Sequence, residues 1–273
     1  MKKMIAVLIT SAMIFLVLLV LKVFHVTQNM LLLSLIGAGL FLLGALVLKV
    51  LSPKLSKTRF FSLKSMSFLE WQLTLCLCVL LICGSFLLNY LTTLLYRFLS
   101  IDVAPAFSGN GYSSMGVALL CIAVLPAVFE EIYFRGAVLT MLRSAKMKTV
   151  AVIGISAFLF MMLHGPSWYF LTDLYAGILL ALLVYFTGSV YASFIAHFIS
   201  NLASYFLASY GTKLTDAGVG DLTVHILMVC LIGGVCHLLH LLKKLILQHE
   251  KEDRSRINEN SRRWEEKVAK GEK

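Results

Sequence analysis

The chain has 273 residues, of which 59% are hydrophobic and only 14% are charged. Soluble domains average about 25% charged residues, so this composition excludes an ordinary soluble protein and indicates one that crosses a membrane several times. The net charge of +10 comes from basic residues clustered in short segments, which is typical of cytoplasmic loops and not of a nucleic-acid-binding surface.

Eight segments are apolar over about 20 residues and are predicted to be membrane-spanning helices. They lie at roughly residues 4–24, 30–50, 71–96, 114–142, 148–164, 170–187, 189–209 and 222–247. With this count, most Lys and Arg residues fall on one side of the membrane, which predicts that both termini are cytoplasmic. The sequence therefore predicts an all-α, polytopic transmembrane helix bundle in the cell membrane.

The pattern divides the chain into four parts. Residues 1–113 hold the first three spans and a basic linker, and residues 114–210 hold spans four to seven. Residues 211–247 hold the last span, and residues 248–273 form a charged tail on the cytoplasmic side. Within the second part, the sixth and seventh spans are separated only by Thr187, Gly188 and Ser189, which predicts a tight hairpin.

The fourth span contains three ionisable residues, Glu130, Glu131 and Arg135. Such groups are costly inside a membrane, and their presence there usually marks a functional site. Because Glu131 and Arg135 are four residues apart on a helix, we expect them to pair and to neutralise each other. Glu130 is then the freer carboxylate and the candidate general base.

Two further spans contribute polar residues at a similar estimated depth: His164 ends the fifth, and His197 and Asn201 lie in the seventh. Two histidines and one carboxylate are a recognised zinc set, so Glu130, His164 and His197 are candidate Zn²⁺ ligands. Alternatively, Glu130 and His164 hold the reacting water directly. His197 and Asn201, one helical turn apart, would then donate hydrogen bonds to an oxyanion. The residues alone leave both alternatives open.

These residues form three short motifs in order along the chain. They are Glu-Glu-x-x-x-Arg at 130–135, Phe-x-x-x-His at 160–164 and His-x-x-x-Asn at 197–201. In this order, on separate spans, the motifs resemble those of the CAAX-protease and bacteriocin-processing (CPBP, or Abi) intramembrane proteases, which include the type II CAAX prenyl endopeptidases. The resemblance covers about residues 114–205.

The resemblance implies a role for each motif residue. Glu130 would activate water with the help of His164. His197 and Asn201 would bind a metal or stabilise the oxyanion. The resemblance gives supporting roles to the remaining motif residues, which are Glu131, Arg135 and Phe160.

The predicted function is an intramembrane endopeptidase, with or without a metal, that cleaves a membrane-associated peptide or a lipidated CAAX-type substrate. A non-proteolytic membrane scaffold or a bacteriocin self-immunity protein is the alternative, and the loss of a motif residue would be its signature. No motif residue is lost. A proton-coupled transporter would contain internal repeats with broken helices, and the sequence shows no such repeat.

Overall fold

The computed structural model describes residues 2–24, 29–52, 64–101, 112–165, 167–216, 225–244 and 247. These residues are helical with short connections, and no β-strand occurs among them. This confirms the predicted all-helical fold. The charged tail at 248–273 lies outside the described residues.

Eight helices are formed by the described residues. They are α1 (Lys2–Val23), α2 (Met30–Val50), α3 (Phe68–Phe98), α4 (Met115–Ser144), α5 (Thr149–Leu163), α6 (Phe170–Thr187), α7 (Val190–Asp216) and α8 (His225–Lys244). Within the described residues, six of them are long and apolar enough to cross a membrane, all except α5 and α7. These helices support a membrane protein, whereas eight spans and two cytoplasmic termini stay predictions.

Local signals in the sequence explain where several helices begin and end. Helix α2 starts after Asn29, whose side chain accepts a hydrogen bond from the backbone N–H of Leu32 at 3.1 Å. Helix α3 starts with a capping box between Ser67 and Glu70, which satisfies two backbone N–H groups. Helix α6 ends at Gly188 with φ of 65°, a left-handed conformation that favours glycine. Helix α7 follows almost at once, and this confirms the predicted hairpin.

The buried apolar residues form two clusters that share α6 and α7. The first cluster joins α1, α2, α4 and α5, and the second joins α3, α7 and α8. Helix α6 contributes to both, through Ala181 and Val184 on one side and Leu180 and Leu183 on the other, and α7 adds Val190 to the first cluster. Helix α6 thus lies in the middle of the bundle, where it can hold residues from several helices in register.

Helix α1 is attached firmly to α4. The hydroxyl groups of Ser11 and Tyr133 are 2.8 Å apart and buried. Gly44 of α2 makes room for the Tyr133 ring, since a Cβ at position 44 would lie 2.9 Å from its Cε2 atom. These contacts fix both N-terminal helices against the segment that carries Glu130 and Glu131.

Helix α4 is irregular on both sides of the two glutamates. The segments Leu120–Val124 and Ile132–Val138 are π-helical, and a regular α-helical segment, Leu125–Glu131, lies between them. Such wider turns are rare and often occur at functional sites. The sequence predicts one helical span here and does not indicate these two π-helical segments.

Candidate active site

Glu131 is at the centre of a buried hydrogen-bond network. Its Oε1 atom accepts a hydrogen bond from Nη1 of Arg135 at 2.8 Å and lies 2.9 Å from Nδ1 of His197. A carboxylate only accepts, so the Nδ1 atom of His197 carries the proton. The pairing of Glu131 with Arg135, predicted from the i, i+4 spacing, is confirmed. The contact with His197 adds α7 to the network.

Arg135 also connects α4 to α5 and α6. Its Nη2 atom donates to the backbone carbonyl of Gly177 at 3.2 Å, and its guanidinium lies 4.6 Å from the ring centroid of Phe160. Helices α5 and α6 approach closely at this point, because a Cβ at position 177 would lie 2.9 Å from the Cα of Ala157. Glycine at 177 therefore allows both the helix packing and the contact with Arg135.

Glu130 faces away from this network and towards His164. The Oε2 atom of Glu130 is 3.8 Å from Nε2 of His164. This oxygen is buried and has no hydrogen-bond partner among the described residues. His164 is held from its other side, because its Nδ1 lies 2.8 Å from the carbonyl oxygen of Phe160. A carbonyl oxygen only accepts, so Nδ1 donates and Nε2 is the nitrogen presented to Glu130.

The distance between Glu130 and His164 suits a shared water molecule. At 3.8 Å, a direct hydrogen bond is too long, since such bonds have donor–acceptor distances of about 2.7–3.2 Å. One water could bind both atoms at ordinary hydrogen-bond distances. The pair can therefore orient a water and remove its proton.

Glu130 and His164 open onto a cavity of about 200 Å³. Its walls are mainly apolar and come from α1, α2, α4 and the end of α5, with Leu18, Gly37 and Phe41 among the lining residues. A mainly apolar cavity with a few converging polar groups is the usual form of a small-ligand or active site.

Asn201 has a partner that the sequence did not indicate. Its Nδ2 atom donates to the carbonyl oxygen of Ile122 at 3.0 Å. In a regular helix this carbonyl would accept the N–H of residue 126, but Pro126 has none. Asn201 thus supplies a donor to this carbonyl in the first π-helical segment of α4, next to Pro126. One hydrogen of its amide group remains for an additional acceptor.

Phe160 separates the two histidines. Its ring centroid is 4.5 Å from that of His164 and 5.8 Å from that of His197. The predicted zinc ligands are accordingly divided, with Glu130 beside His164 and His197 bonded to Glu131. Across the described part of the chain, no three His, Cys, Asp or Glu side chains are arranged to hold a metal ion. The residues do not fit the three-ligand zinc site, and zinc dependence stays a prediction that this geometry does not support.

Asp173 lies outside the three motifs, yet it belongs to the surroundings of the site. It is partly buried in the first turn of α6, close enough to interact electrostatically with both His164 and Glu130. Asp173 and Gly177 are four residues apart and share one face of α6, which is the face that Arg135 contacts. Nothing in the sequence links Gly177 to Arg135, so the position of Asp173 near the motif residues follows from the structure alone.

Comparison with known protein families agrees with the motif pattern. Residues 113–203 match the family described as type II CAAX prenyl endopeptidase Rce1-like. The matched segment contains Glu130, His164, His197 and Asn201, and it spans α4, α5, α6 and the first half of α7. No curated protein and no solved structure matches the chain.

Proposed function

We propose that this chain, whose residues 113–203 match the Rce1-like family, is an intramembrane endopeptidase. The family is a protease family, and the apolar helices support a location in a membrane. The proposed substrate is a membrane-associated peptide or a CAAX-type peptide. The reaction is hydrolysis of one of its peptide bonds.

The observation that carries this proposal is the arrangement of Glu130 and His164 at the edge of the cavity. Both present a polar atom to the same space, and the 3.8 Å between them suits one water. Glu130 takes a proton from that water while the water oxygen forms a bond to the carbonyl carbon of the substrate. When the carbon–nitrogen bond breaks, the same proton passes to the leaving amine. His164 orients the water through Nε2, which the hydrogen bond to Phe160 keeps in place.

His197 and Asn201 are the proposed donors to the oxyanion. The Nδ1 atom of His197 is already used for Glu131, so donation from Nε2 requires the protonated imidazole. Asn201 has one further amide hydrogen beside the one that it donates to Ile122.

Glu131 and Arg135 are proposed to hold the site together and not to react. Their pair connects α4 to α6 through Gly177 and to α7 through His197. In the proposed mechanism no step uses a metal, because Glu130 and His164 supply water activation without one.

Cleavage assays with purified protein in lipid nanodiscs test the proposal. The substrates would be a mixture of synthetic apolar peptides, with products detected by mass spectrometry. We expect Glu130→Gln to reduce cleavage at least about 100-fold, since general base catalysis contributes about 10²–10⁴-fold. Glu70→Gln is the matched control, because glutamine also completes the capping box of α3. If Glu130→Gln cleaves the peptides as fast as the wild type, the proposed enzyme function is contradicted. A non-proteolytic scaffold would then be the better description.

A further inference from the structure

The cavity beside Glu130 and His164 has walls that the family match does not include. Leu18 of α1 and Ser34, Gly37 and Phe41 of α2 line it, whereas the match starts at residue 113. The walls are fixed in position, because Ser11 of α1 is hydrogen-bonded to Tyr133 of α4. The N-terminal helices thus form one side of the space next to the reacting water.

The volume of the cavity limits what it can hold. An apolar cavity of about 150 Å³ binds benzene, and pockets for drug-sized ligands start at about 300 Å³. The cavity of about 200 Å³ therefore suits one ring or one branched aliphatic group.

We propose that this cavity binds a single large apolar side chain of the substrate, next to the peptide bond that is cleaved, and that Gly37 sets its size. This proposal rests on the proposed function. The ligand is a Leu, Met or Phe side chain, because the lining is apolar apart from Glu130, His164 and Ser34. Binding there places the neighbouring carbonyl carbon beside the water held by Glu130 and His164.

Position 37 is suited to control the size of the cavity. A Cβ at this position would meet the Cδ2 atom of Leu18 at 3.9 Å, an ordinary contact, so alanine is accommodated without rearrangement. A larger side chain would extend into the space that the substrate occupies. Gly39 is the matched control, because two residues along a helix turn the side chain by about 200°. Gly39 is exposed, and a Cβ there has no neighbour within 4 Å.

The test is a profile of cleavage sites in a synthetic peptide mixture with randomised residues, measured by mass spectrometry for protein in nanodiscs. For the wild type, we expect a large apolar residue enriched at one fixed position beside the cut. In Gly37→Phe, we expect Gly, Ala or Ser to replace the large apolar residue as the preferred residue at that position. The ratio of small to large residues should rise at least about 10-fold, since one missing or added methylene group typically changes such a preference by about that factor. Gly37→Ala should change the residue preference in the same direction but by a smaller factor. Gly39→Phe should have the same preference as the wild type. Leu18→Ala enlarges the same cavity and should favour Trp.

The outcomes separate this proposal from the proposed function. An unchanged profile in Gly37→Phe, together with cleavage that still depends on Glu130, would overturn the side-chain cavity and leave the endopeptidase in place. Absence of any Glu130-dependent cleavage would overturn both. If Gly37→Phe fails to accumulate, the opposite shifts expected of Gly37→Ala and Leu18→Ala decide the matter, and identical profiles in those two variants would overturn the proposal.

Discussion

Glu131 and Arg135 form an ion pair inside the helix bundle, with 2.8 Å between Oε1 and Nη1 and with side chains that are 1% and 0% exposed. Charges removed from solvent in this way are stable only when each has partners. The partners here are His197 for the carboxylate and the backbone of Gly177 for the guanidinium. The pair is therefore expected to determine the packing of α4, α6 and α7.

Removal of one member of this pair should destabilise the protein strongly. We expect Glu131→Ala or Arg135→Ala to lower the free energy of unfolding by about 3–5 kcal/mol, because each leaves a buried charge without its opposite charge. The double variant Glu131→Leu/Arg135→Met should be less destabilised than the sum of the single variants, since it leaves neither charge. Unfolding of the purified proteins in detergent measures this. Strictly additive losses would show that the two residues do not act as a pair.

The close packing of α5 and α6 gives a second prediction, at Gly177. An added Cβ would lie 2.9 Å from the Cα of Ala157 and 3.0 Å from its carbonyl oxygen. We expect Gly177→Ala to destabilise the protein by about 1–3 kcal/mol through overpacking, with loss of cleavage because the acceptor for Arg135 moves. Gly154→Ala is the control on α5, where a Cβ has no neighbour within 4 Å. That change should be neutral or stabilising by up to about 1 kcal/mol. Equal melting temperatures of the two variants would contradict the prediction.

The contact between Asn201 and Ile122 predicts a rescue. Asn201→Ala leaves the Ile122 carbonyl without its side-chain donor, and we expect a loss of stability of about 1–3 kcal/mol. Adding Pro126→Ala restores a backbone N–H four residues after Ile122 and should recover part of that loss. Thermal unfolding of the single and double variants checks this. If Pro126→Ala lowers stability equally with and without Asn201, the two groups do not serve the same carbonyl.

Metal dependence follows from the separation of the two histidines. Because His197 is bonded to Glu131, and His164 lies beside Glu130 on the other side of the Phe160 ring, we expect purified protein to contain far less than one zinc ion per chain. Treatment with a chelator should leave the cleavage rate unchanged. Elemental analysis and the assay with and without chelator provide the measurement. Stoichiometric zinc, with activity lost on chelation and restored by zinc, would contradict the metal-free mechanism.

Local spacing in the sequence was enough to predict several features. The i, i+4 rule gave the pair of Glu131 and Arg135, and the short connection at Gly188 gave the hairpin of α6 and α7. Both depend on residues close together in the chain, where local helix and turn geometry favour the contact, although Arg135 itself lies in a π-helical segment. The family resemblance at the three motifs was also confirmed.

Other features depend on how helices rotate and pack against one another, and the sequence could not supply them. The bond from His197 to Glu131 instead of Glu130 depends on the rotation of α7 relative to α4. The π-helical segments on both sides of Glu130 change that rotation, and they have no reliable sequence signature except Pro126. The cavity wall from α1 and α2 results from long-range packing of helices with few polar residues.

The central claim is that Glu130 and His164 act together on one water. Its most direct test is a double-mutant cycle on cleavage, with kcat/KM measured for the wild type, Glu130→Gln, His164→Ala and the double variant in nanodiscs. His237→Ala, which changes an exposed histidine of α8, is the control. We expect each single variant to lose at least about 100-fold and the double variant to lose little more, because residues that act as a unit are non-additive. Retained activity in either single variant, or losses that multiply in the double variant, would contradict the account.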